Sequence, residues 1–288
     1  MDNIKNKNFI NTANSLKSIK KIKLLVKFMF IALLSCIIIL PLYFIVINSL
    51  KTLEESRMLS FSFPLKLQWS NYIEVIKAGS LLRAFLNSML IASASSFIAV
   101  LVSAMASYAL SRRRTKFYKM LYGYFFLGLI APVNYITTLF TLKFLNLQNT
   151  YTGIILELAT LGIPFLVFLY YGFFENIPRE LDEAAVIDGC GPFKLFIKVI
   201  FPLLKPATIT GLVLNFLGAW NDFVTPLYLL SDNKKLGMTN SIYNFFGEHF
   251  NDWNMVFADI VLTVAPIVVI YICGQKYIVN GTAGAVKG

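Results

Sequence analysis

Membrane-length runs without charge constrain this chain more than any other feature. Residues 28–47, 84–110 and 120–142 hold no Asp, Glu, Lys or Arg. Residues 151–174 and 207–230 each hold one acid, Glu157 and Asp222, and 255–273 holds Asp259 near its start. About 20 predominantly apolar residues are needed for a helix to cross a hydrocarbon core about 30 Å thick. The runs therefore predict an all-α integral membrane protein with six transmembrane helices. Composition agrees: 57% of the 288 residues are hydrophobic and 14% are charged, whereas soluble domains carry about a quarter charged residues.

Lys and Arg are in excess in cytoplasmic loops, and they set the expected orientation. Seven lysines precede the first run, from Lys5 to Lys27, and Arg112, Arg113, Arg114, Lys116 and Lys119 follow the second. Arg179, Lys194, Lys198 and Lys205 follow the fourth, and Lys276 and Lys287 the sixth. Lys143 alone follows the third run, and Lys234 and Lys235 follow the fifth. The first exit loop is mixed, its four basic residues offset by Glu54, Glu55 and Glu74. Both termini are expected in the cytoplasm.

The formal charge of +11 largely reflects this asymmetry. It suits attraction to anionic membrane lipid. No aromatic-interleaved basic face accompanies it, so nucleic acid is not an expected partner. A signal-peptide core of about 7–15 residues would end in a small-residue cleavage site. Here the run is longer and leaves through Asn48-Ser49-Leu50-Lys51, which reads as a retained first helix. Cys36, Cys190 and Cys273 are too few and scattered for a disulfide framework. His249 is the only histidine, and neither a metal site nor a cofactor is expected.

Residues 1–23 read as a cytoplasmic tail, 24–280 as the transmembrane domain and 281–288 as a C-terminal tail. The segment 51–82 is long enough for a short surface helix. Ala92, Ser96, Ala99, Ser103 and Ala106 recur at steps of four and three, a stripe of small residues on one helical face. Such a stripe serves close helix packing, within the chain or against a partner. Pro132, Pro164, Pro226 and Pro266 fall inside the last four spans, where proline removes a helical hydrogen bond and kinks the helix.

Between the fourth and fifth runs, residues 176–206 predict helix, turn, helix. Pro178 suits a first helical position, and Glu180 and Asp182 favour the positive end of a helix dipole. Gly189 suits a left-handed cap, and Pro192 starts a second helix before Pro202 and Pro206.

Glu183-Ala184-Ala185, then Gly189 and Pro202, resemble the EAA loop of ABC importer permeases. Val199 and Phe201 stand where that pattern has Ile and Leu, both apolar replacements. The resemblance extends from about Leu24 to Gly288 and narrows to the MalG-like permeases of carbohydrate importers. It is carried by Asn71-Tyr72, Asn87-Ser88, Gly153, Ile163-Pro164-Phe165, Trp220-Asn221-Asp222-Phe223 with Pro226-Leu227, and the closing Ala283–Gly288 tail. Thr138-Leu139-Phe140 departs from the group's usual third span.

The resemblance implies a type I ABC importer permease fold in the bacterial plasma membrane. It also implies a second, MalF-like permease, two copies of a cytoplasmic ABC ATPase, and an external or periplasmic sugar-binding protein as partners. Glu183, Ala184, Ala185, Asp188, Gly189 and Pro202 would couple to the ATPase, and Gly284, Lys287 and Gly288 would touch it from the tail. No catalytic residue is expected here. A phosphate loop requires Gly-Lys after its glycine-rich turn, and the chain contains no Gly-Lys dipeptide.

Polar groups inside spans are functional candidates because lipid burial is costly. Asn215, Trp220, Asn221 and Asp222 are the pathway candidates, with Trp220 able to stack on a sugar. Asn215, Gly218 and Asp222 are expected on one helix face, in a pathway or in inter-helix hydrogen bonding. Glu157 and Asp259 lie near span ends, where they can reach water. The alternatives are a permease for a non-sugar solute and a secondary transporter, which would show inverted repeats instead of a docking loop.

Overall fold

Lipid offers no hydrogen bonds, so each long apolar run closes its own backbone bonds as a helix. The computed structural model describes residues 2–78, 80–113, 115–241 and 252–285; His249 lies outside them. In chain order the helices are α1 (Asp2–Ser49), α2 (Leu53–Arg57), α3 (Ser70–Ala78), α4 (Leu81–Arg112), α5 (Lys116–Gly128), α6 (Tyr135–Phe144) and α7 (Tyr151–Phe174). There follow α8 (Glu180–Ile187), α9 (Pro192–Leu195), a π-helical turn (Phe196–Ile200), α10 (Phe201–Leu203) and α11 (Lys205–Asn221). The chain continues through α12 (Val224–Leu229), α13 (Met238–Ser241) and α14 (Trp253–Ala285).

Among the described residues, four segments are single helices of spanning length and hydropathy: Lys23–Ser49, Leu81–Arg112, Tyr151–Phe174 and Trp253–Tyr277. A fifth arises when Pro192–Leu203 is joined to Lys205–Asn221 across a 79° bend. The expected third span is interrupted. Its first half, α5, stops at Gly128, residues 129–134 are not helical, and α6 resumes at Tyr135. Pro132 contributes to the break, since it lacks an N–H and disfavours a helical conformation for the residue before it. The expected fifth span is also divided, because Asp222 (ψ 110°) is extended between α11 and α12. Residues 2–23, expected as a solvated tail, continue α1 as helix, and residues 281–285 belong to α14.

The chain divides into two contact units, 1–71 with 251–258 and 72–250 with 259–288. In the first, Lys51 is 1% exposed. Its ammonium donates to Asn48 Oδ1 (3.0 Å), the Ser60 carbonyl (2.6 Å) and Ser60 Oγ (3.0 Å), which matches its three protons. Burial pulls its pKa below the ordinary lysine value, opposed by Glu55. Asn71 donates to the Ser49 and Lys51 carbonyls and accepts from Asn254 at 3.1 Å, tying α3 and α14 to the end of α1. The segment 51–82 thus carries α2 and α3, as its length suggested.

In the second unit α4 packs along α7 and α11. Its small-residue stripe faces inward: Ala92, Ser96, Ala99 and Ser103 are buried. Ser103 donates to the Ile163 carbonyl at 3.4 Å and Ser107 to Val167 at 3.1 Å, so hydroxyls cross the seam where large side chains would hold the helices apart. The stripe therefore serves packing within the chain. Val100, Ala104, Leu166, Tyr170, Ile200 and Leu204 form the main core, and Ile91, Leu142, Ile154, Leu158 and Leu229 a second one. Asp259, expected to reach water, is fully buried and accepts from Ser241 at 3.3 Å.

Thr150 caps α7, accepting from the Gly153 amide at 3.0 Å while donating to the Leu147 carbonyl at 2.7 Å. A Cβ at Gly153 would overlap the Leu147 carbonyl oxygen, which as backbone cannot swing aside. Gly153→Ala should destabilise the protein by about 1–3 kcal/mol through overpacking. The check is its thermal midpoint in detergent, and an unchanged midpoint would contradict this close approach.

Candidate functional site

The loop between α7 and α11 begins with an acidic helix and ends it sharply. Glu180, Asp182 and Glu183 occupy the first turn of α8, at the positive end of its dipole. Its other end is closed by a left-handed glycine, with φ +78° at Gly189. Cys190 N–H donates to the Ala185 carbonyl (2.9 Å) and Gly189 N–H to Val186 (3.0 Å), the paired bonds of a Schellman cap. Ala185 and Cys190 also join the main core. The cap thus closes the helix and seats it.

One side of α8 is fastened to the end of α4. Asp182 forms a 2.8 Å ion pair with Arg112 and accepts from the Tyr108 hydroxyl at 2.9 Å. Arg112 also donates to the Ile177 carbonyl, and Arg179 returns a bond to the Ser111 carbonyl, both at 3.1 Å. The Arg112 guanidinium lies 5.8 Å from the Phe174 ring centroid. The other side of the loop is uncovered. Glu183, Ala184 and Asp188 are exposed, and so are Ile187 (85%) and Phe193 (67%). The loop's two alanines thus divide, Ala185 inward and Ala184 outward.

Beyond the turn, α9, the π-helical turn and α10 form one continuous rod. Pro202, exposed in α10, cannot donate a helical bond, and Leu204 turns the chain by 79° into α11. The second helix expected from Pro192 is therefore present, with a π-helical insertion.

The in-span candidates separate from one another. Asn215 Nδ2 donates to Ser96 Oγ at 3.2 Å, and a Cβ on Gly162 would overlap its amide, so Asn215 bonds α11 to α4 against α7. Trp220 is fully buried, with Phe216 at 5.7 Å and Phe85 at 5.9 Å between ring centroids. It presents no open face for stacking on a sugar. Asn221 is exposed and donates to Leu217. Asp222 does not share the α11 face of Asn215 and Gly218, because the helix stops before it. Its carboxylate accepts from Thr225 N (2.9 Å) and Thr225 Oγ1 (2.6 Å), closing the start of α12.

Two features had no sequence signal. The Arg112–Asp182 pair joins residues 70 positions apart, each of which has a sufficient local explanation. Tyr135, at the start of α6, and Tyr228, near the end of α12, stack with centroids 5.1 Å apart and planes at 16°. Aromatic residues are too common in such spans for their pairing to be read in advance.

Removing the guanidinium should release α8. Breaking a buried ion pair costs about 3–5 kcal/mol, and partial solvent access at this pair reduces that figure. Arg112→Gln should therefore lower stability by about 1–3 kcal/mol and raise amide exchange specifically across residues 180–187. Unchanged exchange there would show that the apolar contacts of α8 suffice.

A family profile described as binding-protein-dependent transport system inner membrane component matches residues 99–283. The melibiose/raffinose/stachyose import permease protein MelC of Bacillus subtilis is 33% identical over 261 residues, covering 89% of this chain and 94% of its own. The multiple sugar-binding transport system permease protein MsmG of Streptococcus mutans is 33% identical over 279 residues, covering 94% and 100%. Among solved structures, a bacterial ABC transporter involved in import of the acidic polysaccharide alginate aligns with a TM-score of 0.78 at 20% identity, covering 89% of this chain and 96% of that one. That likeness establishes a shared fold.

Proposed function

This chain belongs to the family of binding-protein-dependent transport system inner membrane components, and from that premise we propose that it forms half of the translocation pathway of an ATP-driven sugar or oligosaccharide importer. It is a transport permease and a multi-pass component of the bacterial plasma membrane. The sugars named in its relatives favour a carbohydrate cargo.

The observation that carries the reading is the α8 loop, held on one side and bare on the other. Anchoring by Asp182 and Arg112 gives the helix a fixed position, and exposed Ala184, Ile187 and Phe193 give it an apolar docking surface. Large exposed apolar groups on a charged loop mark an interaction site. The partner we assign is a cytoplasmic ABC ATPase, present in two copies. Glu183 and Asp188 supply polar contacts, and Gly189 and Pro202 shape the loop. A second permease supplies the other half of the pathway, and an external sugar-binding protein delivers the cargo.

Six crossings follow if α5 with α6 counts as the third and α11 with α12 as the fifth. The lysine and arginine distribution then supports a cytoplasmic side for both termini and α8. Residues 24–280 form the permease domain, and Gly284, Lys287 and Gly288 reach the ATPase; residues 286–288 lie outside the described ones. ATP binding closes the ATPase dimer, α8 follows, and the permeases switch between inward-facing and outward-facing packings. ATP drives this only by favouring one state over the other.

Gly189→Val tests coupling. A β-branched residue is strained at positive φ, so the cap should open. Uptake should be abolished while the protein still inserts and keeps its abundance. Normal ATP-coupled uptake at matched membrane abundance would remove the coupling role of α8.

The pathway assignment is carried by Asn221, Asp222 and, as a supporting bond, Asn215. With Cys36, Cys190 and Cys273 replaced by Ser, Asn221→Cys should react faster with a small water-soluble thiol reagent when ATP holds the outward-facing state. Equal rates with and without ATP would make the α11–α12 junction a static packing feature.

A further inference from the structure

Residues 129–134 expose irregular backbone between α5 and α6. Val133 and Asn134 donate no backbone hydrogen bond among the described residues, and the carbonyls of 129–133 accept none. Side chains do not shield this stretch, since Ile130, Ala131, Pro132 and Asn134 are all exposed. Within a bilayer such backbone is tolerated against protein or a water-filled cavity and is not found against lipid.

The interruption opens on a cavity of about 480 Å³, lined by Pro132, Asn134, Tyr135, Ile136, Leu139 and Tyr228. That volume falls in the range of small-molecule sites. The stacked rings of Tyr135 and Tyr228 form its wall, and Tyr228 is 61% exposed. The Asn134 side chain stands at the same corner, its Oδ1 accepting from Thr137 N at 3.1 Å while its amide protons bond to nothing described. One turn along α6, Thr138 donates to Glu157 at 3.4 Å.

We propose that this cavity is a sugar-contacting subsite, in which the Tyr135–Tyr228 pair stacks on a pyranose ring and the Asn134 side chain and the Val133 and Asn134 amides bond its hydroxyls. A flat apolar ring face beside free donors suits a sugar, which presents C–H groups on one face and hydroxyls at its edge. The lining residues include no basic side chain to pair with an anionic sugar, so the class is neutral oligosaccharides. The inference rests on the sugar-importer reading and adds direct substrate contact by this chain.

The test uses the native transporter complex in proteoliposomes with its binding protein, and raffinose, maltotriose and trigalacturonate as probes. Tyr135→Ala and Tyr228→Ala should each lower uptake of the transported neutral sugar roughly tenfold. The Phe variants should stay within about twofold, and binding-protein-stimulated ATP hydrolysis should persist in all four. Unchanged uptake in both Ala variants overturns the subsite and leaves the importer reading intact. Wild-type transport of trigalacturonate alone, or of no probe, overturns the inference; the second result also removes support for the sugar reading. If the Ala variants fail to assemble, Tyr228→Cys in the cysteine-free background decides. Labelling by a water-soluble thiol reagent that the transported sugar slows supports contact. No labelling in any state means that the second permease covers this face, and the proposal falls.

Discussion

Backbone polarity in lipid governs this molecule. A peptide group that leaves a helix at membrane depth loses its partner and finds no water to replace it. The chain answers with long helices, and α4 and α7 run unbroken for 32 and 24 residues. Pro164 sits within α7 without breaking it, so proline alone does not decide where a span divides. The two departures, at 129–134 and at Asp222, are therefore informative. They bring α6 and α12 together. The Asp222 carboxylate repairs its own break by capping α12, whereas residues 129–134 stay open.

Small residues allow the rest. Ala99 and Ser103 let α4 approach α7 closely enough for serine hydroxyls to reach carbonyls on the facing helix. Each such bond contributes modestly in a membrane, about 0.6 kcal/mol on average. Their larger effect is geometric, since a seam of small side chains fixes the helix spacing. The same seam carries Arg112, at the end of α4, to within ion-pair reach of Asp182. A loop helix that looks detached in sequence is thus built onto the longest helix of its unit.

Most of the helical architecture was legible from the apolar runs, and the α8 loop from its residues. Gly189 was expected to end a helix with a left-handed cap and does so, because few other residues take positive φ without strain. Ala185 and Ala184 were legible as small but not as inward and outward, which depends on the core beneath them. Trp220 was expected to offer an open ring, yet Phe85 from α4 encloses it, and no local pattern encodes that neighbour. Asp259 was expected near water and is covered by Ser241 for the same reason.

The sequence by itself determined that the chain is a helical membrane protein, where its loop helix starts and stops, and which family it resembles. These follow from local physics: hydropathy over about 20 residues, dipole and cap preferences, and a short motif. Only the tertiary structure decided that the third and fifth apolar runs divide, which polar residues face one another, and that Asp182 meets Arg112 and Tyr135 meets Tyr228. Hydropathy measures how well a segment dissolves in lipid and carries no term for its neighbours. A broken helix and an unbroken one can score alike, and what separates them is whether packed groups across the fold take up the freed backbone.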